Sequence, residues 1–230
     1  MSNFRVVSRR TALSDRTLHH EQTASDHYPN RDAPILAPLD GPAITVPMSD
    51  TPIITTPRFH CRPLRQGDET AFWPAFSSDT QMRYWGRGPF DDPEEFREYL
   101  FDTRGTWNGR TWICEPLGGG DPVFRMVASS NVEQVAEIGY IMVPGNGGRG
   151  IARECVSALV THLFQEEGFH RIYADVDPRN SRSNALLKRL GFTREGHLRH
   201  TMKTHIGWTD TWLWAILSDE WPEGVEKSSD

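Results

Sequence analysis

The residues best placed to do chemistry lie in one stretch, AEIGYIMVPGNGGRGIAREC, from Ala136 to Cys155. Gly145, Gly147, Gly148 and Gly150 put four glycines in six positions, with Arg149 among them. Glycine reaches backbone conformations closed to other residues, so such a run can turn its N–H groups outward. Ahead of a helix, those groups join the positive end of the helix dipole and make an anion site, to which Arg149 can add charge-assisted bonds. A tight, ligand-free turn is the alternative. Four glycines exceed what a turn needs, which favours a phosphate. Glu137 stands in the apolar run just before the turn. In a strand it shares a face with Gly139, Ile141 and Val143. A carboxylate among apolar neighbours has a raised pKa, which suits a general base; a salt-bridged strand-end glutamate is the competing role.

Gly145-x-Gly147-x-x-Gly150 satisfies the dinucleotide fingerprint literally. Only 80 residues follow Gly150, and they supply one clear strand–helix–strand crossover, whereas a dinucleotide fold needs several. A dinucleotide-binding oxidoreductase therefore ranks last. Ile151 and Ala152 stand where a P-loop requires Lys and Ser or Thr, which excludes that motif.

The elements that must hold these residues are readable from residue 53 onward. RFHCRPL (58–64) alternates as a strand. GDETAFWPAF predicts a short helix capped by Asp68 and interrupted near Pro74. DDPEEFREYLF predicts a helix with Asp92 as N-cap and Pro93 first. TWICEPL and PVFRMVASS read as strands joined by a GGGD hairpin turn. AEIGYIMV is the strand before the glycines. Cys155, Val156, Leu159, Val160, Leu163 and Phe164 then recur at helical spacing, with Gly168 as the stop. RIYADVD is a strand, SRSNALLKRL a short helix ended by Gly191, and TDTWLWAIL a last strand. The expected class is α+β, with six to seven mostly antiparallel strands and about four helices.

Residues 1–50 differ in kind. Seven of the sixteen prolines fall between Pro29 and Pro57, and apolar periodicity is absent, so a disordered tail and linker is expected. Met48, just before the first strand, is a candidate true start. The domain is expected over 51–222, with a flexible tail over 223–230. The net charge of −6 argues against nucleic acid as a partner and suits cationic substrates. No apolar run reaches membrane-spanning length. Cys61, Cys114 and Cys155 are odd in number and far apart, which suggests neither a disulfide framework nor a metal site and fits a reducing, cytoplasmic compartment. His197, His200 and His205 cluster without ligand spacing.

Over about residues 53–221 the order of these pieces resembles the GNAT superfamily of N-acetyltransferases, and within it the ribosomal-protein alanine acetyltransferase-like branch. RPLRQGDE and MRYWGRGPF look like the family's opening strand, first helix and substrate-side segment. AEIGYIMVP looks like its fourth strand and GGRGIAREC like its pyrophosphate loop. YADVDPRNSRSNALLKRLGFTREG and GWTDTWLWAILSDEW resemble its fifth strand with following helix and its closing strand. The resemblance implies direct transfer of an acetyl group from acetyl-CoA to a primary amine, with no metal. The acceptor is a protein N-terminal α-amine or a small-molecule amine, and the protein a monomer or homodimer. It also implies that Met142, Val143, Gly148, Arg149, Gly150, Ile151 and Ala152 hold pantetheine and pyrophosphate. N–H groups near Ile141 and Met142 would polarise the thioester carbonyl, and Asn180 would bond the pantetheine arm. Glu137 would be the base, with His197 or His200 as substitutes, and Ser183 the acid for the departing thiolate. Tyr84 and Trp85 would line the acceptor side. Two positions depart from the pattern: Gly145 replaces a usual Gln or Arg, and Leu187 stands where many relatives carry a tyrosine acid. A non-catalytic acyl-CoA-binding module of the same fold is the alternative, told apart by cofactor affinity without amine turnover.

Overall fold

The computed structural model describes residues 50–103, 105 and 107–222. The proposed tails at 1–50 and 223–230 and the candidate start at Met48 therefore lie outside the described residues, apart from Asp50. The elements run β1 (Ile54–Thr55), β2 (Phe59–Pro63), α1 (Asp68–Phe76), α2 (Asp79–Met82), α3 (Pro93–Leu100), β3 (Arg110–Pro116), β4 (Phe124–Val132), β5 (Val135–Met142), α4 (Ile151–Gln165), β6 (Arg171–Val176), α5 (Ser181–Arg189), β7 (Thr193–Thr204) and β8 (Gly207–Leu217). The strands form one sheet in the order β1-β2-β3-β4-β5-β6-β8-β7. Every neighbouring pair is antiparallel except β5 and β6. That parallel pair is the crossover closed by α4, as a parallel connection requires.

Among the described residues the sheet has eight strands and five helices are present, against an expectation of six to seven strands and about four helices. β7 carries no hydrophobic alternation, because TREGHLRHTMKT is exposed along most of its length. Its ladder with β8 is a backbone interaction that side-chain pattern does not report. β1 and α2 are too short for periodicity to register.

Two helix expectations need correction. Asp68 does not cap α1. Gly67 holds the cap position at φ 100°, and Asp68 turns inward to a buried, two-bond pair with Arg62 at 2.8 Å on each oxygen. Pro74 does not interrupt α1 either. It sits in the last turn, where the lost N–H costs one bond near an end that Ser77 closes onto Trp73 O. Asp92 caps α3 as expected, accepting from Glu94 N at 2.9 Å.

Each face of the sheet has its own apolar cluster. Ala136 and Ile138 of β5, with Ile172, Ala174 and Val176 of β6, pack with α4 and α5. Ile141 of β5 and Ile113 of β3 pack with the aromatic side chains of α1 and α3, among them Phe72, Phe76 and Phe96. The alternation of β5 therefore sends odd positions toward α1–α3 and even positions toward α4–α5.

Arg125 of β4 is buried on the α1–α3 side. Its Nη2 donates to Thr111 Oγ1 at 3.4 Å and its guanidinium lies 5.8 Å from the Phe76 ring centroid. Its Nε finds no partner, and burial lowers its pKa. No carboxylate among the described residues pairs with it. A buried charge lacking an opposite charge forfeits hydration without recovering it. Arg125→Met is expected to leave stability unchanged or to raise it by about 1–4 kcal/mol, read from urea unfolding. A clear loss would mean that the guanidinium has a partner in solution.

Candidate active site

The parallel ladder between β5 and β6 is short. It runs Val135↔Arg171, Ala136↔Ile172 and Glu137↔Tyr173 and stops, although β5 continues to Met142 and β6 to Val176. Beyond Glu137 the two strands diverge and form a fork in the middle of the sheet. On its other edge β5 stays paired with β4 as far as Phe124↔Met142. Backbone groups of β5 that face the fork therefore have no strand to bond. Val143 N donates to Val123 O at 2.9 Å, toward β4. N–H groups alternate sides along a strand, so Ile141 also points toward β4, whereas Tyr140 and Met142 face the fork. The carbonyl of Val143 accepts from Asn146 N and Nδ2 at 3.4 and 3.2 Å. Of the three positions expected to offer backbone groups here, Met142 is the one aimed into the opening. Ile141 contributes its buried side chain, and both polar backbone groups of Val143 are already engaged.

Glu137 stands where the ladder ends, on the α1–α3 side. The Tyr173 hydroxyl donates to its Oε2 at 3.2 Å. Burial and the charges of Glu137 and Asp175 push the Tyr173 phenol well up, so it is a neutral donor. Asp175 follows two residues later on the same face of β6. Burial, and then the charge of Glu137, push its pKa up to about 7.

On the opposite face, Tyr140 hydroxyl and Ser183 Oγ lie 2.7 Å apart. Burial pushes Tyr140 up to about 12, against the pull of the Ser183 bond. Ser183 is held by the start of α5: Asn180 is the N-cap, its Oδ1 accepting from Ser183 N at 3.2 Å. Buried Asn184 ties that turn down, donating to Asp177 O and Asn180 O while accepting from Trp214 Nε1 at 2.8 Å. Leu187 is fully buried in the core. The hydroxyl partner of Ser183 thus comes from β5 rather than from α5. Sequence reasoning missed it because Tyr140 recurs at period two with Ile138 and Met142 and reads as a core aromatic.

The glycine turn joins β5 to α4. Gly145, Gly148 and Gly150 have φ of 84°, 80° and 75°, a region L side chains enter with strain. Three of the four glycines are therefore required by the turn itself. A Cβ at Gly145, Gly147 or Gly148 would meet nothing within 4 Å, so the loop borders open space. Arg149 is exposed, Gly150 caps α4, and Ile151 and Ala152 open the helix. A diphosphate group fits a bare loop at the positive end of a 15-residue helix.

An anchor for this loop was also missed. Arg58, in the β1–β2 turn, donates from Nη1 to Arg149 O at 3.0 Å and from Nε to Glu154 Oε2 at 2.6 Å. Burial pushes Glu154 up, but bonds from Thr56 and Arg58 outweigh it and hold the carboxyl below its usual range. The partners lie 96 and 91 residues apart in sequence, which no local pattern signals.

The candidate histidines meet Asp210 rather than Glu137. His197 Nε2 lies 2.8 Å from Asp210 Oδ2, and His200 N donates to Asp210 Oδ1. Those bonds hold Asp210 below the usual carboxylate range, His200 N–H first. Asp210 alternates with Trp212 and Trp214 on the face that meets α5, opposite to Glu137. Trp85 packs on Phe76 at 5.8 Å between centroids. Tyr84 is half-buried and close enough to Arg179 to favour its charge. The three cysteines, distant in sequence, converge: all are fully buried, with sulfurs within 4.8 Å of one another. They lie in the α4-side core and not at the fork.

Residues 58–193 match the family model described as acetyltransferase (GNAT) domain. The chain is 30% identical over 174 residues to the uncharacterized N-acetyltransferase YoaA of Bacillus subtilis (strain 168), covering 72% of this chain and 97% of that one. It is 32% identical over 87 residues to the ribosomal protein uS5-alanine N-acetyltransferase of Escherichia coli (strain K12), covering 38% and 45%. Among solved structures, spermidine N-acetyltransferase from Vibrio cholerae, in complex with CoA and spermine, superposes with a TM-score of 0.62 at 22% identity, covering 70% of this chain and 96% of that one.

Proposed function

The chain belongs to the GNAT family of acetyltransferases, and from that premise we propose that it moves an acetyl group from acetyl-CoA to a cationic primary amine bound on the Glu137 side of the fork. The acceptor is a protein N-terminal α-amine or a small-molecule amine. The observation that carries this reading is the early end of the β5–β6 ladder, with a carboxylate on one face and a hydroxyl pair on the other.

Three tasks follow. The diphosphate of CoA rests on the loop from Gly148 to Ala152, with Arg149 adding charge, while the Arg58–Glu154 anchor fixes the loop. Acetyl-CoA supplies the thioester; the Met142 N–H, unpaired at the fork, is placed to donate to a carbonyl entering there. Glu137 takes one proton from the ammonium, giving a free amine that attacks the carbonyl directly. The C–S bond then breaks, and the thiolate takes its proton from the Ser183–Tyr140 pair, which is re-supplied by the second proton leaving nitrogen. Asn180 fixes Ser183 through the cap, with its amide left to meet the pantetheine arm. Tyr84 and Trp85 border the acceptor side.

The test is thiol release from acetyl-CoA against a panel of diamines, aminosugars and N-terminal peptides. Release with one acceptor class is expected and would name it. No release with any amine, while calorimetry shows CoA bound, would overturn the enzyme reading in favour of the binding module.

A further inference from the structure

Cys61, Cys114 and Cys155 are the only cysteines of the chain, and they come from three elements: β2, β3 and the second turn of α4. Cys61 and Cys114 stand opposite each other in the β2–β3 ladder. Leu117 N bonds Arg58 O, and hydrogen-bonded pairs alternate along an antiparallel ladder. The two cysteines therefore occupy a non-hydrogen-bonded pair, where side chains come closest. Their sulfurs lie 2.8 Å apart, nearer than the about 3.5–4.0 Å at which apolar atoms pack. The Cys155 sulfur joins them within 4.8 Å. All three residues are fully buried. A buried cysteine is ordinarily a small hydrophobe, but three sulfurs that meet from separate elements make a ligand set. We propose that these thiols form a binding site for a soft monovalent cation of the copper(I) class, held between β2, β3 and α4.

The donor type and the donor number select the ion. Sulfur donors favour soft metals. Among the described residues no histidine or carboxylate completes the group. His60 and Glu115, the next pair along the ladder, point to the other face of the sheet. Glu154, beside Cys155, already accepts from Thr56 Oγ1 and from Arg58 N and Nε. The cluster lies in the apolar core under α4, where no water supplies a further ligand. Structural zinc almost always takes four ligands, whereas copper(I) is satisfied by three thiolates. Metal–sulfur bonds of about 2.3 Å set three ligating sulfurs about 4 Å apart, so binding opens the Cys61–Cys114 contact by about 1 Å. The thiols that ligate release their protons to solvent, and copper stays in the +1 state, so no electron moves. A way in is provided by β1, a two-residue edge strand whose Ile54 pairs with Cys61; short edge elements open locally at little cost. Ligand motifs read from sequence rely on close spacing, and Cys61 and Cys114 are 53 residues apart.

The test uses the full, reduced chain under argon, with coenzyme A left out because its thiol would compete. Copper(I) buffered by bicinchoninate is offered to the folded chain and again during refolding from urea, so a closed core cannot hide the site. One copper(I) per chain is expected to be withheld from the chelator, with a thiolate-to-copper charge-transfer band in the ultraviolet. Copper is expected to raise the urea midpoint, because it binds the folded site. Cys155→Ala and Cys114→Val, each checked for folding by circular dichroism, are expected to weaken binding by more than about 100-fold, beyond what loss of a supporting contact costs. Absence of the band, or equal binding by wild type and the folded variants, overturns the site. The band decides even where neither variant folds. Zinc(II) retained against equimolar copper(I) overturns the choice of ion. No arm needs turnover, so the site stands or falls apart from the proposed acetyl transfer.

Discussion

Glu137→Gln lowers kcat/KM for the amine by about 10²–10⁴-fold, the range for removing a general base, and leaves CoA affinity unchanged. The substitution is nearly isosteric, and its amide oxygen can still accept from the Tyr173 hydroxyl 3.2 Å away, so the fork keeps its shape. What disappears is the only carboxylate on β5, standing where the strands part. Asp175 cannot replace it, because the charge that helps hold its pKa up is gone with Glu137. The deficit should depend on pH in a definite sense. An α-amine has a pKa of about 7.7–8.0 and a lysine amine about 10.4. As pH rises toward those values the acceptor arrives already neutral and needs no base. The loss is therefore largest near pH 7 and shrinks above it, sooner for an α-amine than for a lysine-like one. A variant with an unchanged pH–rate profile would show that the proton leaves by another route.

Gly147→Glu weakens CoA binding by about 10–100-fold, or about 1.4–2.7 kcal/mol, by calorimetry. Gly147 is the apt position because it is the one glycine of the loop with no positive φ, and a Cβ there meets open space. A glutamate can be accommodated without strain, unlike at Gly148 or Gly150, where backbone effects would mix with charge. Its carboxylate would stand beside the diphosphate. Two unit charges 4 Å apart repel by about 4 kcal/mol at an effective dielectric near 20, and exposure and salt reduce this further. Gly147→Ala should bind nearly as the wild type, and added salt should recover part of the glutamate variant's loss. Equal affinity for wild type and Gly147→Glu would take the diphosphate away from this loop.

The elements around the site were legible in the sequence where burial is one-sided. β5 alternates, α4 repeats at helical spacing, and Asp92 announces α3 as an N-cap. β7 was not legible, because its polar residues pair through backbone with β8 and bury little. Asp68 misled for a related reason: an acid before an apolar run is a cap by local rules, but here its carboxylate turns back to a buried arginine six residues earlier and to the Arg65 N–H rather than to the helix. Glu137 and Ser183 were found as residue types in suggestive places. Their partners Tyr173 and Tyr140 were not, since each lies on a strand where an aromatic is equally a core residue.

By itself the sequence determined the α+β class, that a glycine-rich turn opens a long helix, and that a carboxylate precedes it on a strand. These are local properties of backbone freedom, capping and periodicity, and they survive in any fold that uses the segment. Only the tertiary structure decided that β5 and β6 part after Glu137, that Arg58 reaches 91 residues along the chain to brace the turn, and that Asp175 Oδ1 is buried without a hydrogen-bond partner among the described residues. The physical reason is that these depend on which strands run side by side and where their hydrogen bonds cease. That is settled by the packing of two helical layers against one sheet and not by any neighbouring residue.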